Sequence, residues 1–174
     1  CRKYLYNHFG KEYLDCFDNI NAYSGKCDFF RYCLVYNEGG WYSDWKQYPL
    51  VSLDEILKKY TNTHTEWISF LDKFLITYLI HVPCMQTAFF GSVPKHPILK
   101  EAIDICIHNV KNEYYPLLGV LFASGPGVFG QAFSKIKDKT KCVIGLFEKE
   151  LFKINNRSLI LHKCKLCQKS QNWD

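Results

Sequence analysis

The sequence predicts one α/β domain. Three observations carry that reading. Helical and extended patterns alternate along the chain, as expected of helices packed on a sheet. No internal repeat and no Pro-, Gly- or Ser-rich linker divides it. Its 174 residues are one domain's worth, since single domains cluster near ~100–200 residues. With 48% hydrophobic and 17% aromatic residues, 10 Gly and 6 Pro, the chain has too much to bury for a disordered or collagen-like class.

The elements follow in order. Residues 2–19 read as one or two short helices broken near Gly10. A helix then runs from Ser24, a good N-cap, to Glu38, with Gly39-Gly40 as its stop. Trp41-Tyr42-Ser43 is a short strand. Ser52 and Glu55 form a capping box that opens a helix to about Tyr60. Residues 67–71 and 85–90 are aromatic-rich strands, and 75–80 is a further extended piece. Ile98, Leu99, Ala102, Ile103, Cys106, Ile107 and Val110 carry the spacing of a helix with one buried face, starting near His96-Pro97. Pro126 suits the first position of another helix, to about Ile136. Residues 142–147 and 158–162 are late strands.

Charge excludes some classes. The 22 Lys+Arg against 17 Asp+Glu give +5, and only Lys163, Lys165 and Lys169 cluster. There is no basic stripe or reading module for nucleic acid, and the balance suits an enzyme of anionic substrates. The longest apolar run, residues 74–80 with one Thr, is far short of the ~20 residues of a membrane helix. Residue 1 is Cys and the single Met is Met85, so the sequence reads as a piece of a longer chain. Nine cysteines, an odd number, show no scaffold-like spacing. Cys33 and Cys106 fall on apolar helical faces and read as buried thiols in a reducing compartment.

One stretch carries chemistry. Asp28, Arg31 and Tyr32 are spaced i, i+3, i+4 and share a helical face. Alone, Asp28 and Arg31 could be a surface ion pair worth under ~1 kcal/mol. Beyond them, Gly39-Gly40 makes a tight turn into a strand that ends on Asp44. Ligands of α/β proteins bind outside the carboxyl ends of strands, and a carboxylate there can hold a divalent cation on a diphosphate, or a ribose. His162-x-Cys164-x-x-Cys167 is a competing half of a zinc site, with Cys142 or Cys84 as the fourth ligand. No Gly-x-Ser-x-Gly, P-loop or complete dinucleotide fingerprint is present.

Lys26-x-Asp28-x-x-Arg31-Tyr32 followed by Gly39-Gly40-x-Tyr42-x-Asp44 resembles the sugar-binding region containing the DxD motif of glycosyltransferase family 32. That group includes yeast initiating mannosyltransferase-like proteins and is related to the large clostridial toxin glucosyltransferases. Gln86 to Gly91 with Pro94-Lys-His-Pro97 resembles the family's central strand and the turn into its long helix. Ser124-Gly-Pro-Gly127 resembles its Thr-Gly-Pro-Gly segment. The likeness covers about residues 2–136.

The resemblance implies a GT-A type nucleotide-sugar-binding fold in a single domain over residues 1–174, starting downstream of the family's usual N-terminal strand. It implies a hexosyltransferase that moves a sugar, with retained configuration, from a UDP- or GDP-sugar donor to a hydroxyl of a glycan or other acceptor, as in polysaccharide biosynthesis. Asp28 and Arg31, with Tyr32, Gly39 and Gly40, would hold the donor sugar, and Tyr42 and Trp41 would be turn and packing residues. Asp44 would sit at the ribose–diphosphate–metal junction with Mn²⁺ or Mg²⁺, helped by Asp174 or His162. Gln86, Ser124, Gly125 and Gly127 would line the donor or acceptor site, where a helix N-terminus is also a ready anion site. The family's second aspartate is Lys46 here; its ammonium could itself neutralise the leaving diphosphate. A catalytically silent binding domain on the same fold is the alternative. The implied compartment is the cytoplasm, or the Golgi lumen behind an anchor outside this chain.

Overall fold

The computed structural model describes residues 1–73, 83–114 and 119–162. The extended piece expected at 75–80 lies outside the described residues, as do Cys164, Cys167, the clustered lysines and Asp174.

The chain opens with helices α1 (Arg2–Phe9), α2 (Lys11–Asn19) and α3 (Tyr23–Glu38). Gly10 separates the first two with φ 83°. The N-cap of α3 is Ala22, not Ser24; the Ala22 carbonyl already accepts from Lys26 N–H at 3.0 Å, so Ser24 falls inside the first turn. Gly39 ends α3 at φ 70°, where a Cβ would lie 2.6 Å from Pro94 Cδ. Only glycine fits there.

Next come β1 (Gly40–Ser43), β2 (Gln47–Pro49), α4 (Leu53–Tyr60), β3 (Trp67–Asp72) and β4 (Phe89–Ser92). Helices α5 (Pro97–Lys111), α6 (Val120–Ala123) and α7 (Pro126–Lys135) follow. The chain closes on β5 (Cys142–Glu148), β6 (Leu151–Ile154) and β7 (Arg157–His162). Ser52 Oγ accepts from Glu55 N–H, but the Glu55 carboxylate pairs with Arg157 instead of closing the capping box. The expected strand at 85–90 begins only at Phe89; Met85 makes an isolated bridge to Leu71.

Seven strands form one sheet in the order β1-β4-β3-β5-β6-β7-β2. Among the described residues only β3 and β5 pair in parallel; the other pairings are antiparallel. The sheet is therefore mixed, with β5, β6 and β7 a meander. Laid flat, its outer strands would be about 29 Å apart at ~4.8 Å per strand. They are joined by residues 44–46, and Gln47 N–H donates to Asp44 O at 3.1 Å. The sheet must curl until its two edges meet at that turn.

Curling gives the sheet two apolar faces, and β3 alternates between them. Trp67 and Leu71 face the helices, in a core with Leu5, Phe29, Tyr32, Phe90, Ile103 and Phe129. Ile68 and Phe70 point into the curl, with Phe89, Phe152, Leu159 and Ile56 of α4. Strands β1, β3, β5 and β7 all end at one rim, and Asp44, Asp72, Glu148 and His162 lie along it. Among the described residues no helix is long and apolar enough to cross a membrane. Cys16, Cys33 and Cys106 are buried, the described cysteines are all free, and burial pushes the Cys33 and Cys106 thiols up, away from the reactive thiolate.

Candidate functional site

Arg31 organises the site. On α3 it is buried, 7% exposed, beside Asp28 at 6%, so the two are not a surface ion pair. Its Nε lies 3.4 Å from Asp28 Oδ1 and donates to Cys27 O. Its Nη1 donates to Thr87 O at 2.8 Å and to Asp44 Oδ1 at 3.2 Å. The guanidinium lies 4.5 Å from the Tyr42 ring centroid, a cation–π contact. Tyr42 also donates its phenolic hydrogen to Asp44 Oδ1 at 2.7 Å. Asp44 N–H donates to Ala88 O at 2.8 Å. One cation thus ties α3, the β1 turn and the entry to β4 together.

Burial raises the Asp28 carboxyl to a pKa of about 6. The Arg31 charge and a hydrogen bond from the Thr87 hydroxyl oppose the shift, and Asp44 adds to it. Burial and the bond to Asp44 push the Tyr42 phenol up, so it stays a donor. Asp44 is the more accessible carboxylate, with 31% of its side chain exposed.

The other expected residues divide. Tyr32 is fully buried and donates to Gly125 O at 3.3 Å, holding the segment before α7. A Cβ on Gly125, the N-cap of α7, would lie 3.3 Å from Asp28 Oδ2. The anion at this helix N-terminus is therefore the protein's own Asp28, a favourable placement. Ser124 Oγ is buried and has no hydrogen-bond partner among the described residues. Gly127 packs against Phe122, whose ring leaves no room for a Cβ. Gly39 and Gly40 sit at the far end of β1, about 13 Å from the Asp44 rim at ~3.3 Å per residue. Backbone conformation and Pro94 account for them.

Lys46 is exposed on the turn, its Nζ 5.3 Å from the exposed Trp45 ring. Gln86 Nε2 donates to Asp72 Oδ2 at 2.6 Å. His162 accepts at Nδ1 from Gln47 Nε2 at 2.8 Å. Among the described residues no three His, Cys, Asp or Glu side chains gather to hold a metal, and Asp174 lies outside them. Sequence reasoning passed over Thr87, although it stands in the quoted Gln86–Gly91 motif. It also passed over Asn109, buried on α5, whose Nδ2 donates to Ala123 O at 3.1 Å.

Residues 2–63 match the family model described as the glycosyltransferase sugar-binding region containing the DXD motif. That stretch takes in Asp28, Arg31, Tyr42 and Asp44. The solved structure titled PaToxG Glycosyltransferase matches with a TM-score of 0.54 at 16% identity. The fold is similar to that of a glycosyltransferase. The match covers 76% of this chain and 43% of the other, so this chain spans less than half the length of that glycosyltransferase. No curated protein matches.

Proposed function

We propose that this chain transfers a sugar, with retained configuration, from a nucleotide-sugar donor to a hydroxyl of a glycan or other acceptor. The observation that carries the reading is the Asp28–Arg31–Asp44 network with Tyr42 at the rim of the sheet, inside the stretch that matches the family model. Carboxylates held by a buried cation are pre-oriented acceptors for sugar hydroxyls. Asp44, the more exposed of the two, meets the donor first; Arg31 and Tyr42 fix its orientation.

The donor set fits a cation only with the substrate's help. Arg31 and Tyr42 both engage Asp44 Oδ1, leaving Oδ2 as the oxygen for Mn²⁺ or Mg²⁺. Magnesium is commonly held by one or two carboxylates together with substrate phosphates. Asp44 would hold the ion, which would supply positive charge against the leaving diphosphate. Lys46, on the same turn, adds a positive charge of its own. The single carboxylate also keeps a second reading in view, a silent nucleotide-sugar-binding domain.

Hydrolysis of UDP- and GDP-sugars by the purified protein, with and without Mn²⁺, tests the proposal. One donor is hydrolysed, and Asp44→Asn lowers the rate by about 10²–10³, the usual effect of losing one electrostatic contact to the reacting group. The melting temperature stays within a few degrees. Binding without hydrolysis favours the silent domain; a collapse in stability makes Asp44 a structural residue and overturns the site.

A further inference from the structure

A cleft lies on the same rim as Asp44. It has a volume of about 450 Å³ and is lined by Asp72, Lys73, Gln86, Phe147, Glu148 and His162, together with the Lys149-Glu150 turn between β5 and β6. That volume falls within the roughly 300–1,000 Å³ of small-molecule sites.

Its chemistry is not that of an anion site. Asp72, Glu148 and Glu150 set three carboxylates against the two ammonium groups of Lys73 and Lys149, in a chain whose formal charge is +5. Lys73 approaches Glu148 at 3.5 Å, as does Lys153 from outside the lining, so of the two lining ammonium groups that of Lys73 is already engaged. A diphosphate gains nothing from such a wall. The remaining groups suit hydroxyls: the Gln86 amide, fixed by its bond to Asp72, and the carboxylates themselves. Phe147 adds a half-buried aromatic ring, held edge-to-face by His162 at 5.8 Å and tilted against Phe152 at 4.7 Å. A pyranose presents the complementary surfaces, a girdle of hydroxyls and a face of C–H groups.

The cleft is also wired to the donor network. Gln86 precedes Thr87, whose carbonyl accepts from Arg31. His162 is bonded to Gln47, whose N–H donates to Asp44 O.

We propose that this cleft is the acceptor subsite and takes a neutral pyranoside. The inference rests on the glycosyltransferase reading and names the acceptor's side of it. In the transfer, the bond from the donor's anomeric carbon to the diphosphate oxygen breaks and a bond to the acceptor oxygen forms. The acceptor's proton leaves with the nucleoside diphosphate.

Saturation-transfer NMR on the 174-residue protein, with methyl α-D-mannopyranoside and methyl β-D-glucopyranoside as probes and glucose 6-phosphate as the charged comparison, tests this without any donor. At least one glycoside is saturated, and glucose 6-phosphate less so. Phe147→Leu and Glu148→Gln each weaken the glycoside signal about fivefold, the effect of one lost contact. Glu148→Gln alters a partly exposed side chain and carries the test if Phe147→Leu fails to fold. No saturation of either glycoside, undiminished saturation in the folded variants, or preference for glucose 6-phosphate overturns the proposal. Donor hydrolysis is a separate readout, so its failure bears on the reaction and not on this binding.

Discussion

Tyr42 and Asp44 are joined by a hydrogen bond of 2.7 Å from the phenol to Oδ1, and both are touched by the Arg31 guanidinium. The residues face the same side of β1 and its turn because they are two apart, the period of a strand. The phenol stays protonated because burial and the carboxylate raise it. Asp44 is thereby held while a third of its side chain remains open to solvent.

Tyr42→Phe separates holding from packing. The ring still lies under Arg31 and beside Phe90, so the core is kept and only the bond to Asp44 is lost. Stability falls by about 1.5–3 kcal/mol, as for a hydrogen bond to a charged group, read by urea denaturation. Donor hydrolysis falls more steeply than stability, because Asp44 is left on Arg31 alone. Unchanged hydrolysis would show that Arg31 suffices to place Asp44.

Asp28 gives a pH signature. Its folded carboxyl titrates near 6, above the ~3.9 of an unfolded chain. The folded state therefore binds the proton more tightly. This group's stabilising contribution is complete below about pH 4 and lost as the pH rises through about 6, for a loss on the order of 3 kcal/mol. Asp28→Asn removes that dependence. In urea denaturation the variant and the parent match near pH 4, and the variant is the more stable at pH 7.5. On the proposed function it is inactive there, because that reading has the ionised Asp28 carboxylate accept from the donor's hydroxyls. The parent's donor hydrolysis falls as the pH drops through 6. Parallel stability profiles would mean that Asp28 is not the group that titrates.

How much of this was legible in the sequence depends on range. The Ser52 cap, the buried face of α5 and Pro126 at the start of α7 are local signals, and each element formed where they placed it. Strands β2 and β6 were missed. Gln47–Pro49 is three residues with a proline, and Leu151–Ile154 follows a Lys-Glu pair that carries no turn signal. The cluster of Asp28, Arg31 and Asp44 was visible as a motif. Arg31's role was not, because its shortest bond goes to Thr87, 56 residues on, and no periodicity reports a contact of that kind. Nor does the spacing report that Gly39 packs on Pro94, 55 residues on, at the opposite rim.

Stability read beside donor hydrolysis tells Gly39 and Gly40 from ligand contacts. Gly39→Ala puts a methyl 2.6 Å from Pro94 Cδ at φ 70°. It costs about 2–4 kcal/mol from the left-handed backbone and the clash together. Gly40→Ala has φ 89° but meets nothing within 4 Å, so it costs only about 1–2 kcal/mol. A stable Gly39→Ala protein that has lost donor hydrolysis would instead place this glycine against the substrate.

The two hairpins of the meander make a matched comparison. Asn155 and Asn156 adopt φ 48° and 65°, and Lys149 and Glu150 adopt φ 51° and 64°. Asparagine tolerates the left-handed region; Lys and Glu do so at a cost of about 1–2 kcal/mol each. The strained pair is the one that lines the cleft, and strain of this kind gathers where a side chain is wanted for another purpose. Replacing it by Lys149→Asn with Glu150→Gly supplies the preferred residues of a two-residue hairpin. The double variant gains about 1–2 kcal/mol in urea denaturation, while its saturation-transfer signal from methyl glycosides weakens. A gain in stability with glycoside binding intact would leave Lys149 and Glu150 as plain turn residues, and would move the acceptor contacts to Gln86, Phe147 and Glu148 alone.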